Sequence, residues 1–243
     1  MKAYGKSVTG LKRKNNEDAI YISDENSELK HLYIVADGMG GHNAGEVASN
    51  SAITAFNQYI HDNVHEIKEE EILDLLVSAV QHCNTDIYQK SSVDEHLSEM
   101  GTTLIAAVVM NHKLYVTHVG DSRLYIFREE EIRQLTNDHS YVMELVRLGK
   151  ITREEAAVHP NRNIITRAVG THETVEVDTI IENLFEGDII LICSDGLSTM
   201  VDDWEMKEIL SKEETQEQKV QALIDKANEK GGLDNISIIL IQE

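Results

Sequence analysis

The chain has 243 residues, 41% of them apolar, and a formal net charge of −21. That length suits one large domain or two small ones, and the apolar fraction is too high for a disordered chain. The acidic balance argues against partners made of nucleic acid or anionic membrane, whose phosphates would be repelled, and is compatible with a carboxylate-lined cation site.

Residues 3–9 predict a first strand. The segment Arg13-Lys14-Asn15-Asn16-Glu17-Asp18 follows, just before a second strand predicted over 19–23. Two basic residues followed by two acidic ones can hold a phosphate and a metal-bound water side by side, and arginine is the better bidentate phosphate donor. A third strand over 31–36 runs into Asp37-Gly38-Met39-Gly40-Gly41-His42. Glycine after the aspartate lets backbone approach a ligand closely and offers its carbonyl. Residues 44–63 carry Ala48, Ala52, Phe56 and Ile60 at four-residue spacing and predict a helix, with Asn43 as its cap and Glu46 reaching back. A second helix over 70–90 places Ile72, Leu76, Val80, Cys83 and Ile87 on one stripe.

Strands over 103–110 and 113–119 are joined by Asn111-His112, a two-residue hairpin signal. The second runs into Gly120-Asp121, and strands over 123–128 and 132–135 follow. Residues 137–170 mix two short helical pieces with polar turns and hold Arg147, Arg153, Arg162 and Arg167. The segment is too long to be a mere connection, and such loops are often lids; in so acidic a chain its arginines would recruit an anionic peptide. Strands over 174–181 and 188–193 come next, the latter running into Ser194-Asp195-Gly196. A helix over 215–230 opens on a Thr215-x-x-Gln218 capping box and stops at Gly231-Gly232. Asp234-Asn235 introduces the last strand, 235–242.

Strands come in clusters rather than in strict alternation with helices, and each long helix has one apolar face. That pattern predicts an α+β layered fold with the helices lying on sheets. There is one proline, Pro160, and no repeat or linker, so residues 1–243 are expected to form a single domain. The two cysteines, Cys83 and Cys193, lack metal or redox spacing and read as small buried hydrophobes of a reducing compartment. No apolar stretch approaches the roughly 20 residues that span a bilayer, and the N-terminus shows no signal-peptide pattern; a cytoplasmic location is expected.

Asp37, Asp121, Asp195 and Asp234 all lie at strand ends, where they can converge on one edge of a sheet stack. Converged like charges repel in a low dielectric, and a divalent cation is the natural compensation. With only oxygen ligands, that cation is Mg²⁺ or Mn²⁺ rather than Zn²⁺.

The motifs RKNNEDA, DGMGGHNAGEVAS, MGTTL, HVGDSRLYIF, HSYVMEL, ITREEA, HPNRNIITRAVG, CSDGLS and GGLDNISII follow one another over essentially the whole chain. In that order they resemble the PP2C-type (PPM) family of metal-dependent serine/threonine phosphatases, in its bacterial form. The resemblance implies a four-layer α/β/β/α sandwich, two stacked antiparallel sheets flanked by helices, with residues 137–170 as a flap beside the active site. It implies that Asp37 bridges two metal ions, that the Gly38 carbonyl ligates one, and that Asp195 and Asp234 complete the other site. Glu17 would contact the second metal, directly or through water, and Asp18 would orient metal-bound water. Asp121 and Asp195 would form a third, weaker site, Arg13 would grip the substrate phosphate, and His42 would be the proton donor to the leaving oxygen. The implied activity is hydrolysis of phosphoserine and phosphothreonine in proteins by a metal-activated water, with two to three Mn²⁺ or Mg²⁺ ions as cofactors. The partners expected are phosphorylated proteins and a cognate Ser/Thr protein kinase, and the phosphatase itself is expected to be a monomer. Two other readings share these residues, a catalytically dead phosphopeptide reader and a structural cation sandwich. The joint presence of Asp37, Asp195 and Asp234 speaks against the first, Arg13 and the long flap against the second.

Overall fold

The computed structural model describes residues 1–41, 44–64 and 67–243. In chain order its strands are β1 (Lys2–Val8), β2 (Asp18–Ile22), β3 (Leu32–Met39), β4 (Gly101–Thr102), β5 (Leu104–Met110), β6 (Lys113–Val119), β7 (Arg123–Arg128), β8 (Glu131–Gln134), β9 (Asp178–Asn183), β10 (Ile189–Cys193) and β11 (Ile236–Gln242). The helices are α1 (Ala44–Asn63), α2 (Ile72–Val93), α3 (Tyr141–Arg147), α4 (Arg153–Ala157), α5 (Asp195–Ser198), α6 (Asp203–Leu210) and α7 (Gln216–Glu229).

The strands form two antiparallel sheets, ordered β1-β11-β10-β7-β8 and β2-β3-β5-β6-β9, with the short β4 paired to β3. Many strands are apolar on both faces, because each sheet is covered twice. In β3, Tyr33 and Val35 face the other sheet; with Ile105 and Val116 of their own sheet they meet Leu124, Ile190, Ile239 and Ile241 in one core. The alternate residues Leu32, Ile34 and Ala36 face α1 and α2 and pack with Ala48, Ala52, Phe56, Leu76, Val80 and Cys83. In β11, Ile236, Ile238 and Leu240 face α5, α6 and α7. Period-two alternation thus sorts one strand's side chains between two cores, and the result is the four layers expected from the sequence.

The Asn111-His112 hairpin forms as expected. Both residues are left-handed, with φ of 51° and 57°, the pair of angles that matches the twist of the flanking strands. Helix α1 keeps its expected limits, while its expected cap Asn43 lies outside the described residues. Three expectations need correction. The strand placed at 174–181 begins only at Asp178, because side chains of α2 take the preceding carbonyls. Asn84 donates to the oxygens of His172 and Glu173, and Gln81 to that of Val175. The strand placed at 103–110 begins at Leu104, and Thr103 separates it from β4, which was not expected. Helix α6 was not expected at all, although Asp202 caps it through Glu205 N–H at 2.9 Å and Glu205 reaches back to Asp202 N–H. Residues 137–170 hold the two expected short helices, α3 and α4.

Candidate functional site

Strand pairing brings the first acidic residues together. β2 runs antiparallel to β3 in the register that sets Asp18 opposite Asp37. Glu17 precedes this pair, and its carbonyl accepts Gly38 N–H at 3.1 Å and Ser49 Oγ–H at 2.6 Å. A Cβ at Gly38 would lie 2.0 Å from the Gly45 oxygen and 2.6 Å from that of Glu17, so only glycine fits between the start of α1 and the 13–17 segment. Asp195 follows β10 directly and opens α5, and Asp234 stands just before β11. Here a Cβ at Gly196 would fall 1.9 Å from the Asn235 oxygen, a close approach that draws the two aspartate-bearing turns together. Arg13, Glu17, Asp37, Gly38, Asp195 and Asp234 line one cavity of about 240 Å³.

The charges in it are poorly compensated. Burial, then repulsion from Asp18, Asp195, Asp121 and Asp234, holds the Asp37 carboxyl well above its ordinary range. Burial together with Asp121 and Asp234 pushes Asp195 up to about 8. Burial raises Asp18 to about 6, against hydrogen bonds from the Ser237 and Ser194 hydroxyls; Ser194 Oγ–H donates to Asp18 Oδ2 at 2.7 Å. Asp121 also rises to about 6 through burial and Asp138, and its buried Oδ1 has no hydrogen-bond partner among the described residues. Among the described residues the one ion pair on Asp234 is with Arg13, whose Nη2 lies 2.7 Å from Oδ2. An orphaned carboxylate oxygen, mutual repulsion and an all-oxygen donor set fit hard divalent cations.

The residues expected from the sequence divide between two cavities. Asp121 does not line the first. It lines an adjoining one of about 320 Å³ with Asp138, Arg153, Arg162 and Asp195, and Asp195 belongs to both. Asp18 is buried behind the first cavity, and His42 lies outside the described residues. Of the segment's arginines, Arg167 is committed to Asp178 and Glu176, at 2.6 and 2.8 Å. Arg147, Arg153 and Arg162 are exposed and form no ion pair among the described residues. Cys83 and Cys193 are buried as expected, and burial pushes both thiols up, which disfavours thiolate chemistry.

Several residues that hold the site escape a reading of the sequence. Thr103 Oγ1 accepts Asp37 N–H at 3.0 Å and lies 2.8 Å from Ser122 Oγ, so two buried hydroxyls join the Asp37 strand to the Asp121 turn. Asn235 Oδ1 accepts Glu17 N–H at 2.8 Å, while its Nδ2 donates to the oxygens of Thr9 and Asn15. Their only sequence signal is a polar residue beside an otherwise apolar strand. His118, His139 and Asp178 bring three ligand-type atoms within 4.8 Å of one another. Arg167 Nη1, however, lies 3.0 Å from His139 Nε2 and 2.6 Å from Asp178 Oδ1, and this fixed guanidinium supplies the positive charge there.

Comparison with known proteins agrees with this geometry. The family model described as Protein phosphatase 2C matches residues 11–233. The chain is 41% identical over 242 residues to the serine/threonine phosphatase Stp of Listeria monocytogenes serotype 4b, covering 100% of this chain and 96% of that protein. The serine/threonine phosphatase of S. agalactiae superposes with a TM-score of 0.90 at 38% identity, over 98% of each chain. The catalytic domain of the serine/threonine phosphatase PstP, in complex with two manganese ions, superposes with a TM-score of 0.85 at 37% identity, over 98% of this chain and 96% of that one.

Proposed function

The chain belongs to the protein phosphatase 2C family and is a serine/threonine phosphatase acting on phosphoproteins; from that premise we propose which residues carry the activity and what they hold. Asp37, the Gly38 carbonyl, Asp195 and Asp234 hold a pair of Mn²⁺ or Mg²⁺ ions, with Glu17 at the second, and Asp121 with Asp195 holds a third. The observation that carries this reading is the cavity lined by Arg13, Glu17, Asp37, Gly38, Asp195 and Asp234, with the Asp37 and Asp195 carboxyls raised by burial and then by neighbouring charge. Bound there, such ions lower the pKa of water towards neutrality and offset the charge of a phosphate.

The rest is done by the chain itself. Arg13 offers a planar pair of donors to the phosphate oxygens, and its Nη2 donates to Asp234 Oδ2 at 2.7 Å. Asp18, held by Ser194, accepts from and orients water behind Asp37. His42 gives its proton to the serine or threonine oxygen as it leaves. Residues 137–170 act as a flap of the single domain 1–243, reaching the cavity through Asn163 and Ile165. A Ser/Thr protein kinase supplies the phosphoproteins, and the phosphatase works as a monomer in the cytoplasm. Among the described residues no helix is long and apolar enough to cross a membrane.

The test is hydrolysis of a phosphothreonine peptide with and without Mn²⁺, wild type against Asp37→Asn. Wild type is expected to need the ion, and the variant to lose about a hundredfold or more in kcat, as when a principal electrostatic group is removed. Full activity in Asp37→Asn would remove Asp37 from the proposed role.

A further inference from the structure

One residue, His139, ties both ends of the flap to the Asp121 turn. His139 N–H donates to the Gly120 oxygen at 2.8 Å, and its own carbonyl accepts Thr166 N–H at 2.8 Å. Immediately outward, Ser140 bridges Ile165, and Tyr141 N–H donates to the Ile164 oxygen at 2.8 Å. Both ends of the flap and the Asp121 turn therefore meet at His139, which is buried.

The imidazole adds a second bond to the same turn. Its Nδ1 accepts Gly120 N–H at 3.0 Å, and its Nε2 lies 3.2 Å from Asp178 Oδ2. Arg167 Nη1 also lies 3.0 Å from Nε2, but it is paired with Asp178 Oδ1 at 2.6 Å; with Nδ1 accepting from Gly120, the ring proton belongs on Nε2, directed to Asp178 Oδ2. Below the ring, His118 stacks at 4.6 Å between centroids and 25° between planes. Neither His118 nitrogen has a hydrogen-bond partner among the described residues, so it acts on His139 as a packed surface and not as a competing acceptor. Gly120 has little freedom to drift. Its φ of +112° is a conformation that few residues adopt, and a Cβ there would meet Thr103 at 2.6 Å. Asp121 is the next residue, with one carboxylate oxygen still unpartnered.

We infer that His139 is a positioning residue for the third cation: its Nδ1 bond to Gly120 N–H fixes the Asp121 turn beneath the flap, and so sets how tightly Asp121 and Asp195 hold that ion. The inference rests on the proposed reading of Asp121 and Asp195 as a cation site. It assigns the histidine no contact with substrate and no proton to transfer. It also ties flap attachment to cation affinity, since the residue that closes the base of the flap is the one that orients the Asp121 turn.

The experiment is Mn²⁺ binding to the metal-stripped full chain, followed by the loss of free-Mn²⁺ electron paramagnetic resonance signal, in wild type, His139→Ala, His139→Asn and Asp121→Asn. Asparagine keeps an acceptor oxygen near the position of Nδ1 and gives up the reach to Asp178. His139→Ala should weaken the weakest binding event by about ten- to a hundredfold, the usual effect of losing a group that orients a ligand, and leave the tighter events unchanged. His139→Asn should restore that event nearly to wild type. Wild-type binding in His139→Ala would overturn the inference, as would His139→Asn as weak as His139→Ala, because ring volume and not the acceptor would then matter. Asp121→Asn separates the two levels of the argument. If it removes the weakest event while His139→Ala does not, the positioning role alone fails; if it leaves all events unchanged, the third site fails and the inference with it.

Discussion

Asp195 stands where the two cavities meet. It lines both cavities, and burial with the charges of Asp121 and Asp234 lifts its carboxyl from an ordinary 3.8 to about 8. A group raised in the folded state binds its proton more tightly there than in the unfolded chain. Its contribution to stability is therefore fully present below about pH 4 and is lost as pH rises towards 8. In the absence of divalent ions, Asp195→Asn should melt higher than wild type at pH 8, with the gap closing towards pH 4. Thermal melts in chelator at the two pH values check this; a wild type that is the more stable at pH 8 would contradict it. The aspartates themselves are legible in the sequence because each ends or begins an apolar run beside a glycine, serine or asparagine. Thr103, Asn235 and His139 are not, because what they hold is remote: Asp37 is 66 residues from Thr103 and Glu17 is 218 from Asn235. Nothing local in the chain tells a buried threonine that grips a backbone N–H from one that merely packs.

At the level of elements, legibility follows how much of an element's stability is local. Helix α1 and the strands β6 and β7 keep the expected limits, since their periodicity is strong and their ends are marked. The start of β9 does not, because Asn84 and Gln81 decide it from another helix. Helix α6 is the instructive omission. Its eight residues are short for a pattern of period 3.6, and only Met206, Ile209 and Leu210 are buried, yet both ends are well capped. Asp202 opens it, and the buried Lys219 donates to the Leu210 oxygen at 2.6 Å and closes it. So short a helix owes much of its persistence to such caps. Asp202→Ala should cost about 1 kcal/mol, which in a domain of this size lowers Tm by roughly 2–4 °C. A calorimetric scan reads it, and an unchanged Tm would mean that packing on α7 alone holds α6. Helix α6 contributes nothing to the cavity that holds Arg13 and Asp37, but its Asp203 lines the adjoining one, so the melt and not the activity is the readout.

For the molecule as a whole, sandwich and site are two consequences of one arrangement. Two sheets with apolar faces on both sides leave few places for polar groups except the strand ends, and the turns at one end carry the aspartates. That the helices lie on sheets is readable from the clustering of strands and the one-sided helices; the order of four layers is implied only by the family resemblance. Which ends meet is not, because it depends on the sheet order β1-β11-β10-β7-β8 against β2-β3-β5-β6-β9, and pairing across such distances leaves no mark in any one segment. On the proposed reading, a net charge of −21 and carboxyls raised by burial and by one another make cation binding the condition on which the site works. The most direct test is a crystal grown in Mn²⁺ and measured at the manganese absorption edge. Anomalous peaks should appear in the cavity lined by Asp37, Asp195 and Asp234, with a weaker one between Asp121 and Asp195. Ordered manganese found only elsewhere on the surface, with that cavity empty in an active crystal, would contradict the account.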